Sequence, residues 1–170
     1  DTSAAKTQEG GQAAMEALIA LGVDSANQAY SNSQIAMQLR LVHTAEVSYT
    51  ESGTIDADLT RLRSTTDGIM DQVHQLRDQH NADLVALIVD DGGGFCGIAY
   101  VMANGPRAGF ASSAFSVTAR DCVANDTLAH ELGHNMGNAH DRATGGTGVF
   151  AYSYGYRDEV GRFRTIMAYA

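Results

Sequence analysis

Three histidines constrain this chain more than any other feature. They lie in the segment Thr127-Leu-Ala-His130-Glu131-Leu-Gly-His134-Asn-Met-Gly137-Asn-Ala-His140-Asp141. Residues four apart on an α-helix stand one above the other, so His130 and His134 offer two imidazole nitrogens to one metal ion. Glu131 follows the first ligand and projects to one side of it. There its carboxylate is placed to hold and deprotonate a metal-bound water rather than to bind the metal. Gly137 accepts positive φ, which ends the helix and turns the chain sharply. That turn brings His140 back as a third ligand. Three protein ligands and one open position describe a catalytic Zn²⁺ site, whereas a structural site is closed by a fourth. No Cys or His lies at a natural offset to close this one. Asn125 or Asp126 is placed to cap the helix start. The blander alternative, an amphipathic helix with solvated histidines, leaves the alignment of three imidazoles without a cause.

The rest of the chain must supply a fold around that helix. Its 170 residues fit one domain, and 44% apolar with 18% charged content is not a disordered composition. Residues 11–29 carry an apolar stripe at helical spacing (Ala14, Leu18, Leu21 and Ala29 with Met15, Ile19 and Ala26). Residues 35–49 alternate, with Ile35, Met37, Leu39, Leu41, Ala45, Val47 and Tyr49 on one face, which predicts a half-buried strand. A turn at Gly53 leads into a helical pattern over 57–79. Residues 83–90 are a continuous apolar run, as expected of a strand covered on both faces. Shorter strands are expected over 97–102 and 114–119, and mostly loops after 137. The fold class is therefore α/β with a mixed sheet, the crossover at 57–79 pairing its flanking strands in parallel.

Charge narrows the partners. Eleven basic residues against 20 acidic ones give −9, which argues against nucleic acid or an anionic membrane surface. No run of about 18 apolar residues occurs, so no membrane span is expected. The chain opens on Asp1 with no basic, apolar leader, consistent with a trimmed chain or a removed leader and pro-segment.

The pattern His130-Glu131-x-x-His134-x-x-Gly137-x-x-His140-Asp141 resembles the elongated zinc motif of the metzincin metalloendopeptidases. Asp141, the residue after the third His, resembles the adamalysin/reprolysin type, and the whole looks most like the bacterial and fungal secreted members. Arg164-Thr-Ile-Met167-Ala-Tyr169 resembles the Met-turn that lies beneath the zinc in that family. The resemblance implies a metzincin-like zincin fold: a mixed twisted sheet, two long helices (one the active-site helix) and a loop-rich C-terminal part ending in the Met-turn. It implies a single catalytic domain over 1–170, with an N-terminal subdomain at 1–137 and a C-terminal subdomain at 138–170. Relatives usually continue past the Met-turn into a C-terminal helix, so that second subdomain is expected to be truncated.

It further implies a secreted, monomeric zinc endopeptidase made as a zymogen. Zn²⁺ would be held by His130, His134 and His140, with Glu131 as general base. Tyr169, two residues after Met167, resembles the switchable tyrosine of astacins and serralysins that stabilises the oxyanion; the other reading is a buried Tyr with a satisfied hydroxyl. Residues 97–102 resemble the family's upper-rim edge strand, which binds a protein or peptide substrate as an added extended strand.

Cys96 and Cys122 are open to two readings, one bridge or two buried thiols. The resemblance to secreted proteases favours the bridge. His43, His74 and His80 do not share ligand spacing, and His43 is expected in the core. Asp90-Asp91-Gly-Gly-Gly94 reads as a plain turn, lacking the alternating oxygens of a calcium loop. Arg142, Arg157, Arg162 and Arg164 fall where the resemblance places the primed-side pocket; they either favour acidic substrate side chains or are simply solvated. The competing function is a catalytically inactive metzincin-fold binding module, against which the retained Glu131 speaks.

Overall fold

The computed structural model describes residues 1–169. Helices α1 (Ser3–Glu9), α2 (Gln12–Asn32), α3 (Ile55–Arg63) and α4 (Gln72–Gln79) precede strands β1 (Val85–Val89), β2 (Gly97–Ala99) and β3 (Phe115–Ala119). Helix α5 (Thr127–Asn135) and a small ribbon of β4 (Arg157–Asp158) and β5 (Phe163–Arg164) follow. The main sheet has the order β1-β3-β2. β1 runs parallel to β3, with Val85 opposite Phe115 and Val89 opposite Ala119. β2 runs antiparallel to β3, with Ile98 opposite Val117, so the sheet is mixed and β2 is an edge.

The apolar run of β1 is covered on both faces, as its composition requires. Leu87 and Val89 join Ile55, Leu59, Leu62, Val73, Phe115 and Val117 in one core beneath α3 and α4. Ile88 points the other way and meets Ala5, Met15, Ile19 and Val123 under α1 and α2. The buried face of α2 is Met15, Ile19, Gly22 and Ala26, one stripe at helical spacing. Gly22 is small for a reason: a Cβ there would lie 2.8 Å from Leu128 of α5. The absent side chain lets the two helices touch.

Several expectations need correction. Residues 35–49 are extended but form no strand; their one ladder contact is the parallel bridge of Val47 to Thr2. Ile35, Met37 and Leu41 stay 43–49% exposed. An extended segment is stable only beside a partner, and an apolar channel lined by Leu39, Leu41, Val85 and Leu87 separates this one from β1. Val47 packs in the same core as Leu87 and Val89, and Asp1 and Thr2 bridge the two segments through the backbone. Val47 N–H donates to the Asp1 carbonyl at 2.9 Å and Thr2 N–H to the Ile88 carbonyl at 3.0 Å. The parallel pair is accordingly β1 with β3, not β1 with 35–49. His43 is exposed rather than in the core and stacks on His80, with ring centroids 3.9 Å apart.

The helical pattern at 57–79 is broken into α3 and α4. Between them Gly68 (φ +75°) and Met70 (φ +59°) are left-handed. Asp67 accepts from Ile69 N–H at 2.9 Å, so a side chain replaces the helical partner. The His74 ring nitrogen meets the end carbonyls of α3, Leu62 O at 3.1 Å and Ser64 O at 2.8 Å. Only α2, at 21 residues, is long; α5 has nine. The Asp90–Gly94 segment is a turn, with Asp91 accepting from Gly93 N–H and Asp90 paired with Arg120.

Cys96 and Cys122 are bridged, with Cα atoms 5.4 Å apart. The bridge joins the start of β2 to the turn before α5 and closes a separation of 26 residues. Replacing both cysteines by serine is expected to cost about 2–4 kcal/mol of unfolding free energy. Urea denaturation of the pair measures it, and a loss below about 1 kcal/mol would show that packing alone holds this corner.

Candidate metal centre

Helix α5 is positioned by packing and by one buried amide. Asn135 is 2% exposed, and its Nδ2 donates to the carbonyls of Tyr100 at 2.9 Å and Phe115 at 3.1 Å. That pins the end of α5 to the sheet. Asp126 precedes the helix at φ +62° but does not cap it; its carboxylate instead accepts from the Ser25 hydroxyl of α2. The helix ends as Gly137 requires. Asn138 N–H donates to Gly133 O and Gly137 N–H to His134 O, both at 2.9 Å, with Gly137 at φ +98°. This is a Schellman closure. A Cβ on Gly137 would also strike Val149, at 2.5 Å. The turn then sends Ala139 into a bridge with Tyr154 and leaves His140 facing the helix.

The three histidines converge. His140 Nε2 lies 3.0 Å from His134 Nε2 and 3.2 Å from His130 Nε2. Their ligand atoms form the one such cluster among the described residues. His130 Nδ1 lies 2.7 Å from the Ile166 carbonyl, and His134 Nδ1 2.7 Å from the Asn138 carbonyl. A carbonyl only accepts, so each Nδ1 carries the proton and each Nε2 presents a lone pair. Burial lowers the pKa of all three rings, that of His134 to about 4. His140 Nε2 faces both of these lone pairs, so the three ring nitrogens converge on one point where a cation could be held. The donor set fits zinc: three nitrogens at a spacing that a tetrahedral ion can bridge.

Glu131 is 4% exposed and faces the edge strand. A Cβ on Gly97 would lie 2.5 Å from Glu131 Oε1, so glycine there gives the carboxylate its room. Desolvation raises its pKa to about 8; a divalent cation nearby opposes that rise. The Tyr169 ring lies 4.2 Å from His140 and parallel to His130 at 6.0 Å. It is 50% exposed, which rules out the buried-tyrosine reading. Asp141 is buried and braces the segment. It accepts from Ala143 N–H, Thr144 N–H, the Thr144 hydroxyl and Tyr169 N–H. Led by the Thr144 hydroxyl, these bonds hold its pKa down to about 2.

A model of the reprolysin-like M12B metallopeptidases matches residues 2–170. The chain belongs to this family. Its members are zinc-dependent peptidases, and the three histidines stand where such an ion binds. The chain is 39% identical over 99% of its length to a peptidyl-Asp metalloendopeptidase of Stenotrophomonas maltophilia, of which it spans 40%. It is 40% identical over 99% to one of Xanthomonas campestris pv. campestris, spanning 39% of that protein. A solved chaperone–substrate complex contains a similar fold, with a TM-score of 0.72 at 21% identity, covering 98% of this chain and 29% of that one.

Sequence reasoning found the ligands and missed their supports. Asn135, Gly97 and Gly133 act through contacts distant in sequence, and no local pattern signals them. In this reprolysin-like chain the Met167 thioether packs against Gly133, where a Cβ would lie 2.5 Å from Sδ. Gly133→Ala displaces the Met167 thioether, next to the Ile166 carbonyl that orients His130. Zinc affinity, read by competition with a chelator, is expected to fall about 10- to 100-fold. Unchanged affinity would show that the loop moves without disturbing the ligand.

Proposed function

We propose that this chain is the catalytic domain of a zinc endopeptidase that cleaves protein chains at aspartate. The convergence of three histidine Nε2 atoms beside a buried carboxylate carries the reading. The names of the relatives point to aspartate. Secretion, a zymogen precursor and a monomeric state fit the same family, as does a division at 137 into two subdomains.

In this reading His130, His134 and His140 hold zinc, which lowers the pKa of water and polarises a peptide carbonyl. Glu131 holds the attacking water, takes its proton and delivers it to the departing amine. The Tyr169 hydroxyl donates to the developing oxyanion. The substrate lies extended along β2, whose outer edge has no strand partner among the described residues. Ile166 and Met167 form the Met-turn: one orients His130 and the other supports the helix through Gly133.

Glu131→Ala, compared at equal zinc occupancy, is expected to lower hydrolysis of a denatured protein by about 10²- to 10⁴-fold. Tyr169→Phe is expected to lower kcat by about 10²-fold with KM little changed. Zinc-loaded protein that cleaves nothing would leave the inactive binding module as the better reading.

A further inference from the structure

The four arginines of the C-terminal segment have different fates. Arg142 is committed: its guanidinium lies 4.2 Å over the Tyr154 ring and donates to the Ala151 carbonyl. Arg162 sits in the turn between β4 and β5 at φ +56°. Arg157 and Arg164 are direct partners across the ribbon, so both side chains leave the same face. Like charges placed opposite each other destabilise a ribbon. No ion pair relieves either one among the described residues, whereas Arg120 alone engages Glu9, Asp90 and Asp121. The sequence around them is unusual for this chain. Residues 138–170 hold four basic against three acidic residues, and residues 1–137 hold seven against 17.

Arg164 is also tied to the metal centre. One of its nitrogens donates to the Ala168 carbonyl at 2.8 Å, which anchors it over the loop carrying Ile166 and Met167. A guanidinium has five N–H donors. One is used here, and the remaining fork matches a carboxylate.

We propose that Arg164, with Arg157 beside it, binds the aspartate side chain of the substrate and sets the cleavage preference. The inference rests on the endopeptidase reading above. An aspartate carboxylate supplies the counter-charge that the ribbon lacks, and the anchored guanidinium gives up little freedom in binding it.

The test uses peptides identical except for Asp, Asn or Lys at one position. Arg164→Gln removes the charge and the guanidinium fork, and zinc content is measured for each variant. The Asp-to-Asn ratio of kcat/KM is expected to fall about 10- to 100-fold. Arg164→Glu is expected to turn the preference toward the Lys peptide. As a readout without turnover, affinity for the Asp peptide is compared between Glu131→Gln and the Glu131→Gln/Arg164→Gln pair, with a drop of similar size expected. A wild-type enzyme that prefers Asp and an Arg164→Gln variant that keeps the full preference would overturn the inference alone. A wild-type enzyme that does not distinguish Asp from Asn would overturn the aspartate reading and this inference with it.

Discussion

Three imidazoles converge on one spot, with His140 Nε2 lying 3.0 Å from His134 Nε2 and 3.2 Å from His130 Nε2. This geometry demands support from several directions at once. Two rings are locked by carbonyls, one just past the helix end at Asn138 and the other 36 residues away at Ile166. The C-terminal loops therefore must fold back under α5. Regular structure contributes little there, since β4 and β5 have two residues each. Order comes instead from single bonds at fixed points, above all the four that converge on Asp141. An ion held by all three rings would add to the stability of the segment that creates the site.

Close approach is the second requirement. Gly133 admits the Met167 thioether, Gly97 admits the Glu131 carboxylate, and Gly22 admits Leu128. Each removes a side chain where α5 meets a neighbour. The helix is thereby surrounded on several sides, which explains why seven of its nine residues are buried. Such burial depresses the histidine pKa values and raises that of Glu131. The packing that holds the ligands also keeps them neutral.

The metal ligands were legible in the sequence because their geometry is local: 11 residues of helix and turn place three nitrogens. β1 was legible for a similar reason, since a run of apolar residues needs cover on both faces wherever it lies. The 35–49 strand misled because alternation reports one face of a strand, while pairing depends on an edge far away in sequence. The break between α3 and α4 misled because apolar spacing survives it, and the Asp67 side chain that replaces the helical bond is ordinary on paper. Asp141 was legible only as a family marker. Its work as a brace appears once Thr144 and Tyr169 are seen to donate to it.

The proposed preference for aspartate asks an acidic protein to choose an acidic substrate. A net charge of −9 repels a carboxylate at long range. At physiological ionic strength, however, that repulsion is screened beyond about 8 Å. Discrimination must then come from a short-range contact, where hydrogen-bond geometry counts as much as charge. An anchored guanidinium meets that need better than a diffuse basic surface, which would raise encounter rates for any anion without distinguishing aspartate. The loop segment 138–170 holds four basic against three acidic residues, where 1–137 holds seven against 17. That segment also carries the third histidine and the carbonyl that orients the first, so under the proposal made above the choice of substrate and the placement of the metal would depend on the same loops.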